Sequence, residues 1–171
     1  VSSDKDQAGQ GYGWIYNPDK MIEPKNVSGL GELYIDDSNK VRGWGRKFLY
    51  YQFGMVGDPV DTYNPRDIHE QIHGKKPTFG DKAAYKLLVD CTTDRECLTA
   101  CRDLYIKWYG TEKFKYKCWK GEEHEVNYLD VMQLYLDCAR MRRWENDLVS
   151  VRDMFTKLKV ETLIDEKEIT S

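Results

Sequence analysis

The stretch from Asp81 to Tyr109, DKAAYKLLVDCTTDRECLTACRDLYIKWY, constrains the fold most. Tyr85, Leu88 and Val89 recur at i, i+3, i+4 and make one apolar helical face. Leu98, Cys101, Leu104, Tyr105 and Trp108 make a second face at spacings of three and four. Between them, Thr92, Thr93 and Asp94 are short polar residues suited to a turn and to capping the second helix. The pattern predicts a helical hairpin, each half about three turns long. A hairpin of this size needs a neighbour to cover its apolar faces, which is the logic of a helical repeat.

A second unit runs from Tyr128 to Val160. Val131, Met132, Tyr135, Leu136 and Ala139 form its first face, and Leu148, Val151, Phe155 and Leu158 its second. Upstream, Asn39 to Gly54 holds Trp44, Phe48 and Leu49 at helical spacing. It predicts a helix that opens a third, more divergent hairpin with Asn64 to His73. There Asn64 is a suitable N-cap, Pro65 stands at the first helical position and Gly74 ends the run.

The intervals of Tyr85, Leu88, Val89, Cys101, Tyr105 and Trp108 resemble those of pentatricopeptide repeats, which place Tyr, Leu-Ile, Ala, Phe and Met at the same positions. Val151, Phe155 and Leu158 match the second helix of such a repeat. The resemblance implies an all-α fold, a short α-solenoid of two to three helical hairpins with an extended irregular N-terminal arm. It divides the chain into an arm at 1–38, a helical-repeat domain at 39–160 and a polar tail at 161–171, which includes LIDEKEITS.

The arm is polar and Gly-rich to residue 13 and turn-rich to residue 32. Trp14, Ile15, Tyr16, Met21, Ile22, Leu30 and Leu33 nevertheless space large apolar anchors along it. Such a segment lies across a surface, of its own domain or of a partner. A basic and aromatic alternation, KFKYKCWK at 113–120, predicts an extended ribbon with lysines on one face and rings on the other. Interleaved rings and cations are also what a single-stranded RNA platform uses.

Charge argues against a nucleic-acid solenoid, since 26 Lys+Arg face 29 Asp+Glu, a net charge of -3. In RNA-reading pentatricopeptide repeats a polar residue follows the first-helix tyrosine. Lys86, and Leu129 or Leu136, stand there instead. No apolar run approaches the roughly 20 residues of a membrane span. Five cysteines are an odd number in a chain of this size and suggest no disulfide scaffold. Cys91, Cys97, Cys101 and Cys138 fall within apolar helical patterns as small hydrophobes, and a zinc reading of Cys97 and Cys101 lacks a second ligand pair. Val1 in place of Met fits a removed targeting peptide or a trimmed end.

His69-Glu70-Gln71-Ile72-His73 matches the zincin pattern HExxH, with two imidazoles on one helix face and a glutamate between them. The match lacks the apolar neighbours of a zincin. Gly74 stops the helix, and Glu96 is the one third ligand to nominate, so surface histidines are the expectation and a metalloprotease the distant alternative. No Gly-rich phosphate loop and no Ser-His-Asp or Cys-His arrangement is evident, and no catalytic, cofactor-binding or metal residue is assigned.

Size, the few degenerate hairpins and the aromatic arm resemble the small subunits attached to the catalytic F1 sector of mitochondrial ATP synthase in trypanosomes and their euglenozoan relatives. That resemblance implies a matrix-facing, non-catalytic structural subunit without nucleotide or RNA, docked outside an F1 α-subunit through protein contacts. Trp14, Tyr16, Trp44, Phe114, Tyr116 and Trp119 are then the candidate partner-binding residues. A mitochondrial RNA-binding repeat protein is the alternative.

Overall fold

The computed structural model describes residues 14–15, 25–26, 29–58, 63–118, 120–140 and 149–164. Two short strands, β1 (Trp14–Ile15) and β2 (Lys25–Asn26), pair antiparallel. A hairpin of β3 (Glu32–Ile35) and β4 (Val41–Trp44) follows. Its turn is organised by Asp36, whose carboxylate accepts from the Ser38 and Lys40 amides at 2.9 Å and from Arg42 Nε at 2.8 Å. Arg42, then the Lys40 amide, hold that carboxyl below its usual range.

Helix α1 (Gly45–Tyr51) begins directly after β4. It has no side-chain cap. The Gly29 and Leu30 carbonyls accept from the Arg46 and Lys47 amides instead, so backbone satisfies the first turn. Helix α1 runs on into a π-helix (Gln52–Val56), whose widened turn is closed by Gly57 N–H on the Gln52 carbonyl at 2.8 Å. The remaining helices are α2 (Asp67–His73), α3 (Asp81–Leu88), α4 (Asp94–Tyr109), α5 (Tyr128–Ala139) and α6 (Val151–Lys157). Between α4 and α5 lies a ribbon of β5 (Phe114–Lys117) and β6 (Glu123–Val126).

The α3–α4 hairpin forms where its sequence predicts. Thr93 caps α4 by accepting from the Glu96 amide at 3.2 Å. The halves are unequal, 8 residues against 16, with Val89 capping the end of α3. Buried Lys47 reaches from α1 to the Val89 carbonyl at 3.3 Å, a cation placed at the end of α3. Helix α5 starts with a capping box, in which Asn127 and Asp130 each accept from the other's amide. Replacing Asn127 with alanine should cost about 1 kcal/mol in a urea melt. An unchanged midpoint would mean that packing alone holds that end.

Among the described residues the fold is not plainly all-α, and no solenoid of successive hairpins is shown. The described residues form six α-helices, the π-helix and three two-stranded antiparallel pairs. The π-helix is the central element, packed against α4 and α5, while α1 packs on α4 and α3. The expected hairpin of Asn39–Gly54 with Asn64–His73 does not form. Residues 41–44 are spent on a strand, and α2 leans on β5 instead. Gly74, at φ 78°, stops α2 as expected. Pro65 lies in the turn before α2, with the Asn64 carboxamide oxygen accepting from the Arg66 amide at 3.0 Å.

Phe53, Met55, Leu98, Tyr105, Leu129 and Met132 are fully buried where these helices meet. The expected tail is docked at its start. Tyr128 donates to the Thr162 carbonyl, Arg102 to the Glu161 carbonyl at 2.9 Å, and Ile164 is buried.

Candidate functional site

The basic ribbon is extended as its alternation predicts. Its register pairs Phe114 with Val126, Tyr116 with His124 and Lys117 with Glu123. Phe114 and Tyr116 are half-buried, and Lys115 and Lys117 are exposed. Phe114 stacks on Tyr109 with ring centroids 5.4 Å apart and planes 11° from parallel. Tyr109 in turn donates to the Pro65 carbonyl and accepts from the His69 amide at 3.2 Å; burial pushes its hydroxyl above the ordinary phenol range. Gln71 clamps the ribbon to α2, accepting from the Lys117 amide at 2.8 Å and donating to the Lys117 carbonyl at 2.7 Å. Phe114 therefore packs toward the protein, Tyr116 lies beside the exposed His124, and the opposite face carries Lys115 and Lys117. Lys115 meets Glu123 on it at 3.6 Å, an exposed pair worth little.

Trp44 stands elsewhere, at the end of β4. It shares the outer face of the β3–β4 hairpin with Tyr34, ring centroids 6.4 Å apart. Tyr34 and Ile35 are each 41% exposed. Of Trp14 only the backbone pairing in β1 is described, and Tyr16 and Trp119 lie outside the described residues. The structure thus brings Phe114 and Tyr116 together on one ribbon and sets Trp44 on a different hairpin.

The two histidines of the HExxH pattern do share a face, with ring centroids 4.4 Å apart. His69 Nδ1 lies 3.1 Å from the Lys75 carbonyl, and Glu70 lies 3.5 Å from Lys76 Nζ. Glu96 is occupied at the start of α4, accepting from the Thr92 and Thr93 hydroxyls at 3.0 and 3.2 Å. Among the described residues no third ligating side chain joins His69 and His73.

A different trio does come together. Cys118 Sγ, a Glu122 carboxylate oxygen and a His124 ring nitrogen all lie within 4.8 Å of one another at the end of the ribbon. The pleat explains it. Continuing the register sets Glu122 opposite Cys118, and His124 follows two residues on, so all three share one face. The turn is closed by Cys118 N–H on the Glu122 carbonyl at 2.8 Å and Gly121 N–H on the Cys118 carbonyl at 2.9 Å. Gly121 supplies the φ of 81° that this turn requires. Sequence reading missed the trio, although Cys-x3-Glu-x-His around a glycine turn was visible in it.

Of the other cysteines, Cys97 and Cys101 are buried as expected, Cys91 is half-buried, and Cys138 is exposed on α5 rather than part of its apolar face. A groove of about 440 Å³ lies between α1, α5 and α6, lined by Leu49, Tyr50, Leu136, Met154 and Leu158. At its rim Arg46 makes a two-pronged contact with Asp94 at 2.9 and 3.1 Å, and Tyr50 donates to the same carboxylate at 3.2 Å. No described helix is long and apolar enough to cross a membrane. The chain matches no family model, no curated protein and no solved structure.

Proposed function

We propose that the chain is a non-catalytic structural subunit of a mitochondrial ATP synthase, docked on the outside of an F1 α-subunit by protein contacts. The observation that carries the docking half is the outer face of the β3–β4 hairpin. Tyr34 and Trp44 form an aromatic pair there, and Tyr34 is 41% exposed. Large rings held on a hairpin backed by α1 and α3 are the kind of anchor that dominates protein interfaces. The helical pairs supply a stiff support. Leu88, Cys101, Tyr105, Trp108 and Phe155, residues at pentatricopeptide intervals, are all buried in it. The complex and the matrix location rest on the likeness of size, hairpins and aromatic arm. The RNA-binding alternative is disfavoured, because the rings that would stack bases pack on Tyr109 and beside His124.

The test is a mild-detergent pull-down of the tagged chain from its native mitochondria, with nuclease treatment and mass spectrometry. ATP-synthase α and β subunits should co-purify in fixed ratio and survive nuclease. Tyr34→Ala should weaken that retention about tenfold or more, the loss expected of an interface anchor. Partners that vanish with nuclease would replace the reading with RNA binding, and full retention by Tyr34→Ala would remove the hairpin as the docking face.

A further inference from the structure

We propose that the tip of the β5–β6 ribbon is a zinc site, with Cys118, Glu122 and His124 as its three protein ligands. Each supplies a different donor, thiolate sulfur, carboxylate oxygen and imidazole nitrogen, and Zn²⁺ accepts all three. Bond lengths of about 2.0–2.3 Å put tetrahedral ligand atoms roughly 3.5 Å apart. The three atoms here already lie within 4.8 Å, and Glu122 Oε2 is 3.7 Å from His124 Nε2. Glu122 and His124 are both exposed, so their side chains are free to rotate toward a shared ion.

The described backbone on either side of the ligands is hydrogen-bonded. The Cys118–Glu122 and Gly121–Cys118 hydrogen bonds close the turn, and the Gln71 clamp ties the adjoining residue Lys117 to α2. Less ordering entropy then opposes metal binding than in a free loop. Charge also balances. A thiolate and a carboxylate carry two negative charges against the two positive charges of the ion, and the imidazole binds neutral. Binding releases the thiol proton to solvent. Tyr116, directly opposite His124 with ring centroids 5.8 Å apart, walls one side. A water completes the tetrahedron, so the site keeps an exchangeable position. The soft thiolate selects zinc over magnesium or calcium. This trio is separate from the His69–His73 pair on α2.

The experiment is titration of the reduced, metal-free full chain with zinc alone, followed calorimetrically, with cobalt as the spectroscopic probe. The expected result is one zinc per chain and a thiolate-to-cobalt charge-transfer band. Cys118→Ser should abolish that band. Cys118→Ser and His124→Ala should each weaken zinc binding about a hundredfold or more, beyond what loss of an outer-sphere partner costs. His69→Ala should leave it unchanged. The altered side chains are half-buried or exposed, so circular dichroism should show an intact fold in each variant. Absence of saturable zinc binding, binding that survives both Cys118→Ser and His124→Ala, or binding lost with His69→Ala would each overturn the proposal.

Discussion

Tyr105→Ala should destabilise the chain by about 4 kcal/mol, the range for emptying a fully buried aromatic site. Tyr105 has no solvent exposure and sits on α4 against the π-helix. Its ring lies 5.8 Å from Trp108 and 6.0 Å from Tyr109, so truncation opens a void among rings that hold one another. Its hydroxyl donates to the Phe53 carbonyl at 2.7 Å. Phe53 stands inside the π-helix, where the widened ladder leaves carbonyls that regular i→i−4 bonding would have used. Burial pushes the Tyr105 hydroxyl well above the ordinary phenol range, so it stays protonated and able to donate. Tyr105→Phe isolates that bond and should cost about 1–2 kcal/mol, because a buried carbonyl loses its partner while the ring remains. Urea denaturation of both variants separates the two contributions. A Tyr105→Phe midpoint equal to wild type would show that water or relaxation satisfies the Phe53 carbonyl. A small cost for Tyr105→Ala would show that the rings collapse into the void.

Gly54→Ala should be destabilising by about 2–3 kcal/mol, although it adds a single methyl group. Gly54 lies in the π-helix where α4 crosses it. A Cβ there would fall far inside contact distance of Cys101 Sγ and 3.1 Å from Cys101 Cβ. Cys101 is fully buried, and its thiol contacts the Tyr50 carbonyl at 3.6 Å, so it has no room to turn away. The conflict is between two named atoms, which makes a rescue testable. Cys101→Ala removes the sulfur, and the double variant should recover about half of the loss. Equal destabilisation in the single and double variants would place the strain in the backbone rather than at this crossing. The pair also explains the cysteine. A small side chain is required at 101, as alanine is in the pentatricopeptide pattern, because another backbone approaches closely.

Features set by neighbouring residues were legible in advance. The apolar periods of α3 and α4, the Thr92–Asp94 turn, the Gly74 stop and the lysine–ring alternation of β5 all depend on spacings of a few residues. Each appears where its pattern places it. The Asn39–Gly54 stretch reads as helix from the spacing of Trp44, Phe48 and Leu49, but the Asp36 turn commits Val41–Trp44 to a strand, and the carbonyls of Gly29 and Leu30 receive the helix that starts at Gly45. Phe114 and Tyr116 lie on one ribbon as the alternation predicts, but how that ribbon docks followed from Gln71 on α2, far off in sequence, as well as from nearby Tyr109. The zinc trio was local enough to be found from its spacing. It went unseen because Cys118 was read as part of an aromatic run, and its partners lie across a turn.

Local pattern therefore settled that the chain forms short amphipathic helices and a basic ribbon, because helix periods, caps and strand alternation act over single turns. It did not settle the partnering of those elements. The hairpin resemblance pointed to a stack of like units, whereas the π-helix packs against both α4 and α5, and α1 packs on α3 and α4. That arrangement depends on Gly54 meeting Cys101, on Tyr105 reaching the Phe53 carbonyl and on Lys47 ending at Val89. All three join residues more than 40 positions apart. Their free energy exists only once the chain has closed those loops, so no local signal announces them.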